Sequence, residues 1–201
     1  PLYRLARIDP SEHQLNASRL RSMLEAYGEY PAKYRPLIWR FLLQLPENAD
    51  AHAWLKARGE HASWARLHEA YPLRDGRALR RLRSALSALA HWAPVCGEID
   101  WLPSLVFPFT LIFEHDELVG FEAAMSVLVH WGQGWLATFP HPPVAALAAV
   151  ERTLAKHDAR LARHLSRAGL AAHEWAWPVL RSAFSEVLPR AEWLVLWDHL
   201  L

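Results

Sequence analysis

A disulfide framework is the first thing this sequence cannot have. Cys96 is its only cysteine, which excludes internal disulfides and a cysteine-rich zinc site and fits a reducing, cytoplasmic setting. A charge excess of either sign is also missing. Lys and Arg number 22 against 21 Asp and Glu, a formal net charge of +1, whereas a dedicated nucleic-acid binder carries a marked basic excess. No apolar run is long enough to span a bilayer. The longest, residues 102–113, is interrupted by Pro103, Ser104, Pro108 and Thr110 and reads as a buried core segment, so no transmembrane segment is expected. Near the N-terminus Arg4, Arg7 and Asp9 break any stretch that could act as a signal peptide. The first residue is not Met, and the chain is expected to be a fragment of a longer protein. β-Branched residues are scarce too, with four Ile, ten Val and three Thr. Pleated sheets depend on such side chains, so an all-α fold without a sheet is expected.

Leucine and alanine take their place, at helical spacing. Leu79, Leu82, Leu86 and Leu89 form one stripe, with Arg77, Arg80 and Arg81 directed away from it. Leu118, Phe121, Met125 and Leu128 form a second stripe; Trp193, Leu196, Trp197 and Leu200 form a third. Punctuation predicts about ten helices of ordinary length. Asn48 caps one that runs to about Gly59. Pro142 and Pro143 open one that continues to about His157, Gly169 closes the next, and Pro189 starts the last. Residues 91–100, interrupted by Pro94 and Gly97, read as a loop between two buried helices. The whole of 1–201 is expected to be one multi-helix domain, with 1–28 an N-terminal helix or linker. Its last helix ends on Leu200 and Leu201 without a cap, which predicts an exposed apolar patch there and a fold truncated at its C-terminal end.

Several clusters could carry chemistry. Arg74, Arg77, Arg80, Arg81 and Arg83 are opposed only by Asp75; they form either a docking patch for an acidic partner or a solvated helix face. Among twelve histidines, His61 and His68 lie two helical turns apart, as do His157 and His164. That is too far for two ligands on one ion, and the H-E-x-x-H spacing is absent, so neither a metal nor a cofactor is expected. The eleven tryptophans read as core, although Trp92 and Trp101 flank the loop and could line a partner groove. No serine has a G-x-S-x-G setting, and Cys96 has no activating neighbour in sequence.

Three blocks, in this order, resemble the TBC domain family of Rab GTPase-activating proteins. "YPAKYRPLIWRFLLQLP" (30–46) is similar to its opening helix, with Arg35 and Trp39 in the signature positions. "GEIDWLPSLVFPFTLIFEHDELVGFEA" (97–123) is similar to the central block, where a YxQ loop leads into an apolar helix with a proline. "WAWPVLRSAFSEVLPRAEWLVLWDHLL" (175–201) is similar to the closing stretch, with Phe184, Ser185, Leu188, Pro189, Trp197 and Asp198 in matching order. The wording "LSALAHW", "FPF" and "AWPVL…FSEVL" is most similar to a centrosomal and ciliary member that carries a WD-repeat propeller before its TBC domain and coiled coil after it.

The resemblance implies two catalytic fingers, and neither is there. The family's Arg finger, in IxxDxxR, precedes a proline that here is Pro72, which puts Glu69 in its place, Arg66 at the Asp position and Ser63 at the Ile position. Its Gln finger precedes the central-helix proline, here Pro108, which puts Asp100 in its place and Glu98 at the Tyr of YxQ. An arginine finger raises GTP hydrolysis by about 10³–10⁵-fold, or about 4–7 kcal/mol of barrier. A carboxylate near 4 Å from a phosphate oxygen instead repels it by roughly 4 kcal/mol at a surface-like dielectric. Asp100 accepts hydrogen bonds only when ionised, so it cannot donate to the phosphate as a Gln amide does. The implied function is a catalytically deficient TBC scaffold module in a larger centrosomal or ciliary protein. Its Rab contact is weak or lost, and its other partners are proteins of that complex. The alternative is an active Rab GTPase-activating protein that uses a displaced arginine, Arg66 or Arg74, or the GTPase's own Gln.

Overall fold

Caps and prolines divide the chain into helices close to where the sequence indicates. In a computed structural model describing residues 16–201, every regular element among the described residues is helical. In order these are α1 (Ala17–Tyr27), α2 (Arg35–Leu42), α3 (Ala49–Ala57), α4 (Leu67–Ala70), α5 (Gly76–Trp92), α6 (Leu102–Ile112) and α7 (Glu117–His130). There follow α8 (Gln133–Leu136), α9 (Val144–His157), α10 (Ala159–Arg167), α11 (Ala172–Trp175), α12 (Trp177–Arg181) and α13 (Arg190–Leu200). Single 3-10 turns occupy Ala62–Trp64 and Pro94–Gly97. The expected 1–28 segment is α1 from Ala17 onward; its first fifteen residues, with Arg4, Arg7 and Asp9, lie outside the described residues.

Helices from the two ends of the sequence make one compact unit, residues 16–45 with Arg190–Leu201. The Asn16 side chain caps α1 by accepting from the Ser18 N–H at 2.8 Å, and Gly28 ends it in the left-handed region at φ 77°. At the centre of the unit is the Asp198 carboxylate, 1% exposed. Its Oδ1 accepts from Arg35 Nε at 2.9 Å and Trp39 Nε1 at 2.7 Å. Its Oδ2 accepts from Arg35 Nη2 at 2.8 Å and from the Tyr30 backbone N–H at 2.8 Å. Burial pulls the Arg35 guanidinium towards the neutral form, but its bonds to Asp198 and Glu29 prevail and hold it above its usual range. Trp39, Trp193 and Trp197 pack around this cluster with ring centroids 5.4–6.4 Å apart. On α13 Trp193 and Trp197 are buried and Leu196 half-buried, while Leu200 is exposed and Leu201 half-buried.

The second unit, Pro46–Pro189, is built on α5, which packs against α3, α6 and α7. Leu82, Leu86 and Leu89 of the α5 stripe are fully buried against solvent, as are Leu102, Leu105, Val106 and Phe109 of α6. α7 is buried nearly all round from Val119 to Ala124, so its stripe is only part of a wider apolar surface, with Leu118 and Met125 half-buried. The buried Glu122 carboxylate accepts from the Glu47 and Asn48 N–H groups at 2.8 and 2.7 Å. Asn48 in turn accepts from the Ala51 N–H at 3.0 Å, capping α3. α9 packs against α10 and α11.

The arginine face of α5 differs from expectation at one position. Arg77 and Arg80 are exposed, but the Arg81 side chain is 17% exposed with Nη2 3.8 Å from Glu114. Position 81 borders the buried Leu82 and Ala85, so its aliphatic stem covers apolar surface and Nε is buried with it, leaving Nη2 towards Glu114.

Asp198→Ala removes the shared acceptor and leaves the buried guanidinium with the exposed Glu29 as its remaining carboxylate. It is expected to lower unfolding stability by about 3–5 kcal/mol in urea titration. Arg77→Gln with Arg80→Gln is expected to change stability by no more than about 0.5 kcal/mol. A small effect of Asp198→Ala would mean that the tryptophans alone hold this unit together.

Candidate functional site

The two positions where fingers are expected lie on separate segments of the second unit, joined by a tyrosine. Glu69 sits on α4 and Asp100 just before α6; both are exposed, as is Glu98. Tyr71 O–H donates to the Asp100 backbone carbonyl at 3.1 Å and lies 3.4 Å from Ser104 Oγ. Pro72 follows Tyr71 directly and prevents α4 from continuing. The 3-10 turn before Asp100 approaches the Ser63 segment closely. A Cβ on Gly97 would lie 3.0 Å from Ser63 Oγ and 3.1 Å from His61 Cε1, so only glycine fits without displacement there.

Glu69 is already engaged. Arg66 Nε donates to Glu69 Oε1 at 2.8 Å, and Nη2 donates to Oε2, a bidentate pair on an exposed surface. The guanidinium holds the Glu69 carboxyl below its usual range. Arg66 is therefore held in an ion pair, while Glu98 and Asp100 put two more carboxylates on the other segment.

Pro108 fixes the second segment by what it removes. With no N–H it leaves the Ser104 carbonyl, one turn earlier in α6, without its helical partner. The Ser185 hydroxyl donates to that carbonyl at 2.8 Å. Ser104 Oγ donates to Glu186 Oε1 at 2.6 Å, a second bond between the same two segments. Ser185 reaches this place through a tight turn in which Ala183 and Phe184 both adopt positive φ, 50° and 68°.

Trp101 follows the core reading of the tryptophans and not the groove alternative. It is 8% exposed and stacks edge-to-face with Trp177 at 5.5 Å and Trp135 at 6.0 Å. Three large rings satisfy one another inside the unit, so Trp101 supports the loop and offers no surface to a partner; Trp92 stays exposed at 46%. Burial pushes the Cys96 thiol up to about 11, far from a thiolate nucleophile. Among the described residues no three of His, Cys, Asp and Glu are grouped as a metal site.

No family model matches the chain. Individual proteins do. TBC1 domain family member 31 of Xenopus laevis is 47% identical over 185 residues, 92% of this chain. The mouse and human proteins of that name are 44% and 43% identical over 186 residues, again 92% of the chain. The chain belongs to the TBC domain family. It spans 17% of the length of the frog and human proteins and 19% of the mouse protein. As a TBC domain it presents Glu69 and Asp100 in solvent on two segments that Tyr71 ties together. Sequence reasoning missed Tyr71, Ser185 as a hydrogen-bond donor, and Glu122. Only Ser185 had a usable signal, because a proline inside a helix always leaves a carbonyl that needs a donor.

Ser185→Ala is expected to lower stability by about 1–3 kcal/mol, the penalty of an unpaired carbonyl. Pro108→Ala restores an N–H at that turn, and in its background the Ser185→Ala penalty should shrink to about 0.5 kcal/mol or less. An equal penalty in both backgrounds would show that Ser185 acts by another route.

Proposed function

We propose that this TBC domain does not accelerate GTP hydrolysis and serves as a protein-interaction module of a larger protein. The observation that carries this reading is the charge at the two finger positions. Exposed Glu69 and Asp100 put carboxylates where hydrolysis needs a cation on the phosphoryl group and an amide on the attacking water. Arg66 is no substitute in its present position, since Glu69 holds it in a bidentate pair. Any Rab contact is weak or lost. The other partners are proteins of a centrosomal or ciliary complex, an assignment that follows the sequence blocks most similar to that member. Arg74, Arg77 and Arg80, exposed and without an ion pair among the described residues, form the face that meets an acidic protein.

Single-turnover GTP hydrolysis on a panel of Rabs tests the catalytic part. The expected rate is that of the GTPase alone. An enhancement above about a hundredfold, the lower range of a single electrostatic catalyst, would overturn the proposal, and Arg66→Ala and Arg74→Ala would then identify the displaced group.

A further inference from the structure

Two histidines meet where the segments that carry Glu69 and Asp100 leave the core. The His61 N–H donates to Ser87 Oγ of α5 at 3.1 Å, and Ser87 is buried. His91 lies one turn further along α5, so this anchor brings the two rings together, 5.1 Å between centroids and 76° between planes. His61 caps the 3-10 turn Ala62–Trp64: its Nδ1 accepts from the Ser63 N–H at 3.3 Å. The Trp64 N–H donates to the His61 carbonyl at 3.0 Å. Gly97 runs past the same edge of the ring, where a Cβ would lie 3.1 Å from Cε1 and 3.5 Å from Nδ1. His61 therefore touches both segments, the turn that leads to α4 with Glu69 and the turn that leads to Asp100.

The two rings differ in what a proton would do to them. His91 Nε2 lies 3.0 Å from the Gly59 carbonyl, which only accepts, so this nitrogen carries the hydrogen of the neutral ring. A proton added at His91 Nδ1 leaves that bond intact. His61 is the opposite case, because its Nδ1 accepts and needs its lone pair. A proton at His61 Nδ1 sets N–H against N–H and removes the cap; with His91 charged, it also places two cations in ring contact. The turn Ala62–Trp64 carries no titratable side chain of its own. Glu60 is paired with Arg83 of α5 at 3.4 Å, and Arg58 lies over the Trp54 ring. The buried Cys96 thiol is neutral, its pKa pushed up to about 11 by burial. Glu98, next to Gly97, is exposed, and solvent screens its charge.

We infer that His61 and His91 form a pH-sensitive clasp, which holds the two segments together while His61 is neutral and opens this corner when both rings are protonated. Histidine is the side chain that changes charge between about pH 5 and pH 8. The closed corner needs an unprotonated Nδ1, so its stability is present above the imidazole range and is lost as pH falls through it. The inference goes beyond the catalytic reading and stands whether or not a GTPase binds.

The test is amide hydrogen exchange of the whole chain, followed by NMR from about pH 7.5 to about pH 5.5 and scaled for the intrinsic rate at each pH. Protection of the Ser63 and Trp64 amides is expected to fall about tenfold on acidification, while the Leu86 amide of α5 keeps its protection. His61→Asn retains an acceptor for the Ser63 N–H but does not titrate, and should limit the fall to about twofold or less. His91→Gln retains a donor for the Gly59 carbonyl and removes the second charge, and should limit it to about threefold. His68→Gln should leave the full response. Should His61→Asn fail to fold, His61→Asp takes its place, since it stays ionised and accepting over this range. Protection that does not respond to pH would overturn the inference, as would an undiminished fall in the folded His61 or His91 variants. A fall shared by Leu86 would overturn it too, and would mean acid unfolding of the whole unit.

Discussion

One carboxylate organises the unit that joins the two ends of the sequence. Asp198 is all but inaccessible to solvent and receives N–H groups from Arg35, Trp39 and Tyr30. A buried carboxylate is tolerated only when both oxygens are paired, and here each has at least two donors. Those donors come from α2 and the turn before it, so α13 has one register against α2 in which the charge is compensated. Sliding α13 by a residue would bury the carboxylate among tryptophan rings without a partner. The tryptophans supply most of the apolar burial, and the ion pair supplies the register. Burial also raises the Tyr30 hydroxyl pKa, with the Asp198 charge adding to it, so the neutral phenol persists beside the negative charge.

A related rule holds around α6. Pro108 creates a vacancy in the hydrogen-bond ladder, and Ser185 fills it. A backbone defect on one element thus becomes a specific docking point for another, and the hydroxyl that fills it follows directly on the turn where Ala183 and Phe184 adopt positive φ. Glu122 does the same for the start of α3, satisfying two N–H groups that precede the helix. Each of these contacts works because leaving a buried polar group unpaired costs more than a typical hydrogen bond contributes.

These contacts also explain how far the sequence could be read. Helix positions follow from local chemistry, and the ends at Asn48, Pro143, Gly169 and Pro189 lie where caps and prolines place them. Periodicity located the buried face of α5 as well, apart from Arg81, whose long stem crosses from one environment to the other. What periodicity cannot reveal is pairing between distant positions. Nothing in the spacing of Tyr71 points to Asp100, and Trp101 gives the same sequence signal whether it faces a partner or two other indoles. Division of the chain near Pro46 and Pro189 follows from which helices share an interior, and that is a property of contacts across the chain.

The same distinction bears on how little the fold asks of the side chains at Glu69, Glu98 and Asp100. Arg35, Trp39, Asp198 and Ser185 act through buried or half-buried contacts, and changing any of them leaves a group without its partner. Glu69, Glu98 and Asp100 are exposed, and the bond that ties the two segments together uses the backbone carbonyl of Asp100, whatever side chain it carries. The fold therefore imposes almost no requirement on side-chain identity at Glu69 and Asp100. Arginine and glutamine there would answer to the chemistry of a nucleotide alone. Where that requirement is absent, acidic residues fit at no expense to stability, and Glu69 even gains a bidentate partner in Arg66. Under the proposed function, carboxylates at both positions are what a scaffold held by packing alone would tolerate.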